Sequence, residues 1–494
     1  MEFISGENRG QTLLLPDCLD DYVDGNNVVR IVDAYINNLN LAELGFNKPE
    51  PNDTGRPMYD PKDMLKLYVY GYMNRTRSSR GLEKESKRNL EVLWLLGRLS
   101  PDHKTIARFR SENAAALKRV FIRFVKFSEG IGLYGKELVA IDGSKFKAVN
   151  SRSHNFTKKQ INDKIGRITE KIDEYMKGLD RNDEAEGEAG SEKSGEEIAR
   201  IIRELRESKE RYQGYAAELE RTGEKQKSLT DGDSRLMPVN GKMDVCYNVQ
   251  TAVDAKNKLI VDFQVTNQVN DKNFITPLTG KVQEVLGTEG ITAVVDAGYE
   301  SILDIVSAAA QGVDVHVAGT DFDICLPAKE GEGEEITTHH EGRCVYIAER
   351  NISLCPMGNV LYPVFHTTSK KKGGVGVFYN YEACEQCTCK CTDDKRGRFR
   401  HKVPMARENF SREHDEEGLQ VKQVRIKPDK AIIRQRKSII EHVFGTVKRG
   451  MQAEHLLTKG LEKVTGEFSL TYLAYNIKRA INILGYRKLM AGMA

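Results

Sequence analysis

Asp142 closes the run ELVAID, Asp296 closes ITAVVD, and Glu441 sits within RQRKSIIEHVFGTVKR. Carboxylates at the ends of buried strands are pushed out of the sheet into the crevice where open α/β folds bind ligands, although an Asp that simply turns the chain is the ordinary alternative. Three such charges drawn together would repel one another and lose hydration unless a divalent cation compensates, and hard Mg²⁺ or Mn²⁺ prefers oxygen ligands. Two ions held a few ångströms apart could activate an attacking water or hydroxyl and steady the leaving oxygen of a phosphodiester. Asp142, Asp296 and Glu441 are therefore the candidate catalytic residues and ion ligands.

The elements that must position these acids read as an α/β order. KELVAIDGSKFKAV, from residue 136, is a β-rich run. Much later come strands at 247–254 and 258–266, a helix near 274–287, the strand ITAVVD, a helix near 299–310 and the strand VDVHVAG. An antiparallel start and a parallel finish predict one mixed sheet covered by helices. The core is thus expected in three parts, 131–153, 231–319 and a helical 431–494.

A long amphipathic helix begins near Ala431 and carries the late acid. Ile433, Ile440, Val443 and Val447 form its apolar stripe, while Arg434, Lys437, Glu441, Gly445 and Lys448 share another face. Alternating charges usually mark a solvated face with i,i+4 pairs. An isolated acid between bases also fits a metal ligand flanked by phosphate contacts from Arg434, Lys437 and Lys448.

Two insertions separate the parts. In 154–230, Ile161, Ile165, Ile168, Ile172 and Tyr175 alternate steps of four and three, and Ile198, Ile201, Leu205, Tyr212, Tyr215 and Leu219 follow the same rhythm. This predicts an antiparallel coiled-coil hairpin about 35 Å long, a spacer rather than a catalytic part. In 320–430 periodicity fades and Gly, Cys, Lys and Arg accumulate. Cys384, Cys387, Cys389 and Cys391 form CEQCTCKC, and Cys355 opens CPMG. Cys355, Cys384, Cys387 and Cys391 are the expected ligands of a structural Zn²⁺, with Cys344 able to replace Cys355; free cytosolic thiols are the alternative. Of the ten histidines, His103, His154, His339, His340 and His442 offer no comparable ligand set.

Residues 1–130 read as a helical N-terminal domain, with Pro61 in a first helical turn. Arg75 to Arg88 packs positive charge, and SPDHKTIARFRSEN follows, with Ser100 as the expected N-cap. That stretch is the candidate DNA-reading helix, carrying Lys104, Arg108 and Arg110, or else a solvated face.

Composition sets bounds on all of this. The chain has 494 residues, 39% hydrophobic and 30% charged, enough for two to four compact units and unlike a disordered protein. Lys and Arg total 75 against 72 Asp and Glu, so nucleic-acid binding must come from local basic segments, 75–90 and 395–437, rather than net charge. No apolar run suits a membrane span, and MEFISGENRG lacks an export pattern, which predicts a cytoplasmic, nucleoid-associated protein with no membrane partner. Nine cysteines, seven of them after residue 320, do not resemble a disulfide scaffold.

Taken together, IDGS around Asp142, YNVQTAVD at 247–254, VVDAGY around Asp296 and IIEHVFGTVKR around Glu441 resemble the DDE transposases of bacterial insertion sequences. The resemblance implies a ribonuclease H-like mixed-sheet α/β core with an N-terminal helical domain, the coiled-coil hairpin and the Cys-containing insertion. It implies a homo-oligomer that binds double-stranded DNA at the terminal inverted repeats of its element. That enzyme would cleave by two-ion hydrolysis with Mg²⁺ or Mn²⁺ and join the 3′-hydroxyl to target DNA. Around the Glu, the family commonly carries Tyr, Arg, Glu and Lys, spaced by two, three and six intervening residues. Here Arg434, Lys437, Glu441 and Lys448 stand in those places, and Lys cannot reproduce the bidentate grip of Arg on phosphate. Arg436 lies one residue away and points in another direction. Tyr299 is placed to stack or hydrogen-bond near the site, with Asn248 and Gln250 as support or as ordinary strand residues. A DNA binder that has lost transfer, and a nuclease that cuts without joining, are the competing readings.

Overall fold

The computed structural model describes residues 18–47, 58–184, 195–239, 241–319, 322–327, 336–337, 344–369, 373–387, 401–417, 419 and 421–493. Among these, the chain begins with α1 (Val29–Asn37), α2 (Pro61–Met73), α3 (Ser79–Ser86), α4 (Leu90–Leu95), α5 (His103–Glu112) and α6 (Ala114–Gly130). Asp60 caps α2 through the Lys62 N–H, with Pro61 in the first turn where its missing donor costs nothing. Helix α5 starts later than the sequence predicts. Asp102, not Ser100, is its N-cap, accepting from the Lys104 and Thr105 N–H groups, while the Ser100 hydroxyl bonds Ser86 instead.

The acid-bearing sheet follows: β1 (Leu138–Lys147), then β2 (Asn155–Thr157), α7 (Lys158–Glu184), α8 (Gly195–Thr222), β3 (Gln226–Ser228), β4 (Arg235–Val239), β5 (Lys242–Asp254), β6 (Ile260–Thr266), α9 (Ile275–Leu286), β7 (Ile291–Val295), α10 (Ile302–Ala310) and β8 (Val313–Val317). Strand β5 pairs antiparallel with β1 on one edge and with β4 and β6 on the other. Strand β1 then runs parallel to β7, and β7 to β8. Three consecutive β1 residues, Val139, Ala140 and Ile141, are fully buried, so both faces are covered, as a sheet of this kind requires.

The insertion between β1 and β5 is a helical hairpin. Its seam packs Ile161 and Leu219 near the base and Ile172 against Ile198 and Ile202 farther out. Ile202 rather than the predicted Ile201 is the buried residue at its turn, while Leu205, Tyr212, Tyr215 and Leu219 pack in the seam as the heptad count places them. At 27 and 28 residues the arms reach about 40 Å. Pairing of β2 with β3 closes the base.

Where the sequence predicts loss of regular structure, the described residues form a second sheet. Strands β9 (Phe322–Pro327), β10 (Ile336–Thr337), β11 (Val345–Ile347), β12 (Ile352–Leu354), β13 (Val360–Ser369) and β14 (Gly373–Tyr379) lead to α11 (Tyr381–Gln386), β15 (His401–Pro404), α12 (Arg407–Phe410) and β16 (Val421–Ile426). The antiparallel order is β10 to β15 in sequence, with a core of Tyr346, Leu361, Phe378 and Val403. Gly374 and Gly376 permit it, since a Cβ at either would press on His366 or Met405. These glycines weaken the alternation by which a strand is recognised. Strands β9 and β16 pair with each other, Phe322 opposite Ile426, as a ribbon joining this unit to the rest.

The chain ends with α13 (Lys430–Gly445), a π-helical turn at Thr446–Gly450, and α14 (Leu461–Met493). Helix α14 packs on α6, α2 and α1, and one hydrophobic core runs from Val29 through Ile141 and Val294 to Phe468 and Tyr472. The leader helices therefore have no separate core: the C-terminal helix completes them. Among the described residues no helix is long and apolar enough to cross a membrane.

Candidate active site

Parallel pairing puts Ala140 opposite Val294, so Asp142 and Asp296 each lie two residues beyond a shared rung, on neighbouring strands. Asp296 caps a short 3₁₀ turn, its Oδ1 accepting from the Gly298 N–H at 2.8 Å. Asp142 accepts from the Gly143 N–H at 2.8 Å and, through Oδ2, from Arg436 Nη1 at 2.9 Å. Burial pushes the Asp142 carboxyl up to about 6; Arg436 opposes this, while the charges of Asp296 and Asp271 reinforce it.

Asp271 is the functional candidate that sequence reasoning missed. It lies after β6, and its Oδ1 accepts from Asn248 Nδ2 and Gln250 Nε2, each at 2.7 Å. Lys145 Nζ stands 3.8 Å from its Oδ2. Asn248 and Gln250 are fully buried and alternate along β5, opposite Lys145 and Gly143 of β1. The buried Tyr299 hydroxyl donates to Gln250 Oε1, extending the chain of polar contacts. Gly143 leaves room for it, since a Cβ there would collide with Asp271 Oδ1 and Gln250 Nε2. The available signal was NVQ: two amides in an otherwise apolar buried strand must face something polar.

Glu441 is not brought into this group. Ile439, Ile440 and Val443 are buried as α13 packs against β1 and β7, and they fix the helix's rotation. Ile433 is only partly covered, and Ile439 replaces it in the stripe. Arg436 leads the inward face to Asp142. Five residues on, at 100° per residue, Glu441 points about 140° away. It is 64% exposed, and its nearest charge is Lys437, at 3.8 Å. The charges that act on Asp142 come from Arg436, Asp296 and Asp271. Among the described residues no three His, Cys, Asp or Glu side chains lie within shared metal-binding reach.

The predicted DNA contacts divide. Lys104 and Arg108 are exposed on one face of α5, and Arg434 and Lys437 are exposed on α13. Arg110 is not a surface residue: it is 7% exposed, bonds the Tyr72 hydroxyl at 2.9 Å and lies over the Tyr68 ring. Two residues beyond Arg108, it falls on the opposite side of the helix, where the core is. Lys448 turns inward, donating to the Lys145 carbonyl at 2.9 Å above the Phe146 ring, and burial pulls its amine below the usual range.

Of the expected zinc ligands, Cys355 is buried in the second sheet's core beside Cys344, with Cys384 packed against it and Cys387 just past α11. Cys391 lies outside the described residues.

Asp142 and Asp296 are oxygen donors of the kind a hard divalent cation takes, and Asn248 Oδ1, fully buried without a hydrogen-bond partner, lies 3.0 Å from the Cβ position of Gly143. Such an arrangement can gather positive charge and present it at the end of the sheet.

Comparison with known proteins gives two family matches. A Transposase domain (DUF772) matches residues 17–112, and a Transposase DDE domain matches 354–481. The second includes Glu441 and Lys448 but neither Asp142 nor Asp296. No curated protein matches the chain. Among solved structures, the piggyBac transposase synaptic complex with hairpin DNA, determined by cryo-electron microscopy, aligns at 8% identity and a TM-score of 0.28, covering 94% of this chain and 76% of that one. A transposase-domain segment and a DDE-transposase-domain segment are thus matched on either side of the sheet that bears the two aspartates, and it is to transposases that the chain is similar.

Proposed function

We propose that this protein is a DNA transposase that binds the terminal inverted repeats of its element, cleaves the DNA there and transfers the freed 3′-hydroxyl to target DNA. The observation that carries the reading is the emergence of Asp142 and Asp296 side by side from parallel strands, in a chain with two matched transposase segments. The strand order, with β5 antiparallel and β7 parallel to β1, supports a ribonuclease H-like core. Asp142 and Asp296 would hold Mg²⁺ or Mn²⁺, joined by Glu441 once its outward carboxylate is turned towards them, and the ion's chemistry is activation of the nucleophile and stabilisation of phosphodiester charge.

The remaining assignments concern the chain's own residues. Arg436 orients the Asp142 carboxylate and offsets its burial. Lys104, Arg108, Arg434 and Lys437 offer exposed charge to phosphates, and Lys448 reaches DNA by leaving the Lys145 carbonyl. Two element ends require two or more copies of the chain. Cys355, Cys384, Cys387 and Cys391 would hold a structural Zn²⁺; near-stoichiometric zinc in purified protein supports this, and zinc-free folded protein refutes it.

The outward stance of Glu441 favours a second reading, a DNA binder without transfer. Labelled end DNA with a target plasmid separates the two: joined product identifies the transposase, retarded DNA alone the binder, and cleavage without joining a nuclease. Asp296→Asn is expected to abolish joined product and preserve retardation. Unchanged joining by that variant would remove Asp296 from the chemistry.

A further inference from the structure

We propose that Arg436 is an exchangeable counter-ion of Asp142: it gives way when the site takes up a divalent cation, and its released guanidinium then takes a phosphate of the bound DNA. The proposal rests on the transposase reading and deepens it.

Helix α13 carries Arg434, Arg436 and Lys437 in its first half, and the packing of Ile439, Ile440 and Val443 against the sheet sorts these three bases. Arg434 and Lys437 are exposed. Arg436 instead reaches Asp142, and both side chains are 21% exposed, so the pair sits at the edge of the sheet within reach of solvent. Its place on the helix decides which base meets the acid.

Both oxygens of Asp142 are engaged. Oδ1 accepts from the Gly143 N–H at 2.8 Å, and Oδ2 accepts from Arg436 Nη1 at 2.9 Å. The first partner is backbone and fixed by the strand; the second stands on a long side chain that can swing away. A cation taking Oδ2 would set a second positive charge on the oxygen that the guanidinium already holds, and like charges so placed repel. Arg436 and the cation therefore compete for one carboxylate.

The form of the contact also points to exchange. An arginine dedicated to a carboxylate commonly closes two parallel hydrogen bonds, whereas Arg436 makes one. Among the described residues Asp142 is its one hydrogen-bond partner, which leaves the rest of the five-donor fork open. That fork matches phosphate oxygens, and no other arginine of α13 faces the acids.

Mn²⁺ binding to the full chain at pH 8, read as free Mn²⁺ by electron paramagnetic resonance, separates a competitor from a support. Arg436→Gln is expected to bind Mn²⁺ at least threefold more tightly than the unmodified chain. Lys430→Gln, which removes an equal charge from the exposed start of the same helix, should change binding less than twofold. With Mn²⁺ saturating, Arg436→Gln should still yield at least tenfold less joined product, because the phosphate has lost its fork. Arg436→Met, which keeps the apolar stem, takes its place if thermal melting shows that the glutamine variant does not fold. Equal or weaker Mn²⁺ binding by the folded variant would make Arg436 a simple support of Asp142 and overturn the inference while the cation reading stands. Tighter Mn²⁺ binding with normal joining would overturn the hand-over to phosphate. If neither the unmodified chain nor the variant binds Mn²⁺ at millimolar concentration, the cation-dependent reading itself falls, and this inference with it.

Discussion

Replacing Arg77 by Met should destabilise the protein far more than an ordinary charge deletion. Arg77 lies just before α3 and is buried against α14, with Nη1 3.1 Å from Glu467 Oε1 and Nη2 donating to the Gln452 and His455 carbonyls at 2.6 and 2.8 Å. Glu467, 1% exposed, also accepts from the Leu457 and Thr458 N–H groups and the Thr458 hydroxyl. Methionine leaves the carboxylate buried without its counter-charge and leaves two carbonyls unpaired, a loss of about 3–5 kcal/mol. Glu467→Gln should cost less, about 1–3 kcal/mol, since the amide can retain one acceptor for the loop. The double variant should fall short of the sum by about 0.5–3 kcal/mol, the signature of direct coupling. Urea unfolding followed by circular dichroism measures all four proteins. An Arg77→Met loss below about 1 kcal/mol, or strictly additive effects, would refute the claim that this pair ties the N-terminal helices to the C-terminal one. Because Lys147 bridges His455 within the same loop, the assay also reports on the segment lying next to β1.

Two other expectations are simpler to check. Burial, reinforced by Asp244, pushes the Cys246 thiol up to about 12, so roughly one molecule in ten thousand carries the thiolate at pH 8. Iodoacetamide should label Cys246 far more slowly than exposed Cys18, with a rate still climbing as pH is raised to 10; peptide mass spectrometry that finds equal labelling would contradict the buried placement. The two arginines of α5 should also separate. Arg108→Ala should weaken end-DNA retardation while leaving the melting temperature unchanged. Arg110→Ala should lower the melting temperature, because the Tyr72 hydroxyl and Arg77 carbonyl lose their donor. A normal melt for Arg110→Ala would show that it is not part of the core.

Much of the acid-bearing sheet was legible because its strands carry strong local signals: ITAVVD and ELVAID are apolar runs that end abruptly in an acid. The hairpin was equally visible through its heptads. What escaped depended on tertiary rotation or register. The direction of Glu441 is decided by which residues of α13 meet the sheet, and Ile439 rather than Ile433 completes that face. Arg110 likewise reads as a basic residue until α5 is docked. Asp271 has no local mark at all: its importance comes from amides on β5 and glycines on two other segments. The second sheet was missed because most of its strands are short and glycines interrupt the alternation of its longer hairpin.

The ribbon of β9 and β16 leads directly into the helix that carries Glu441. Only residues 427–429 separate Ile426 from α13, and the Asp429 N–H is fastened to His316 Nδ1 of β8 at 3.0 Å. Any torque that bound DNA or a second subunit exerts on the outlying sheet would therefore arrive at the first turn of α13. With Ile439, Ile440 and Val443 holding the rest of that cylinder to the sheet, such a push would be felt first at Arg436, easing the guanidinium from Asp142. Assembly and arming of the reactive centre would then be a single mechanical event.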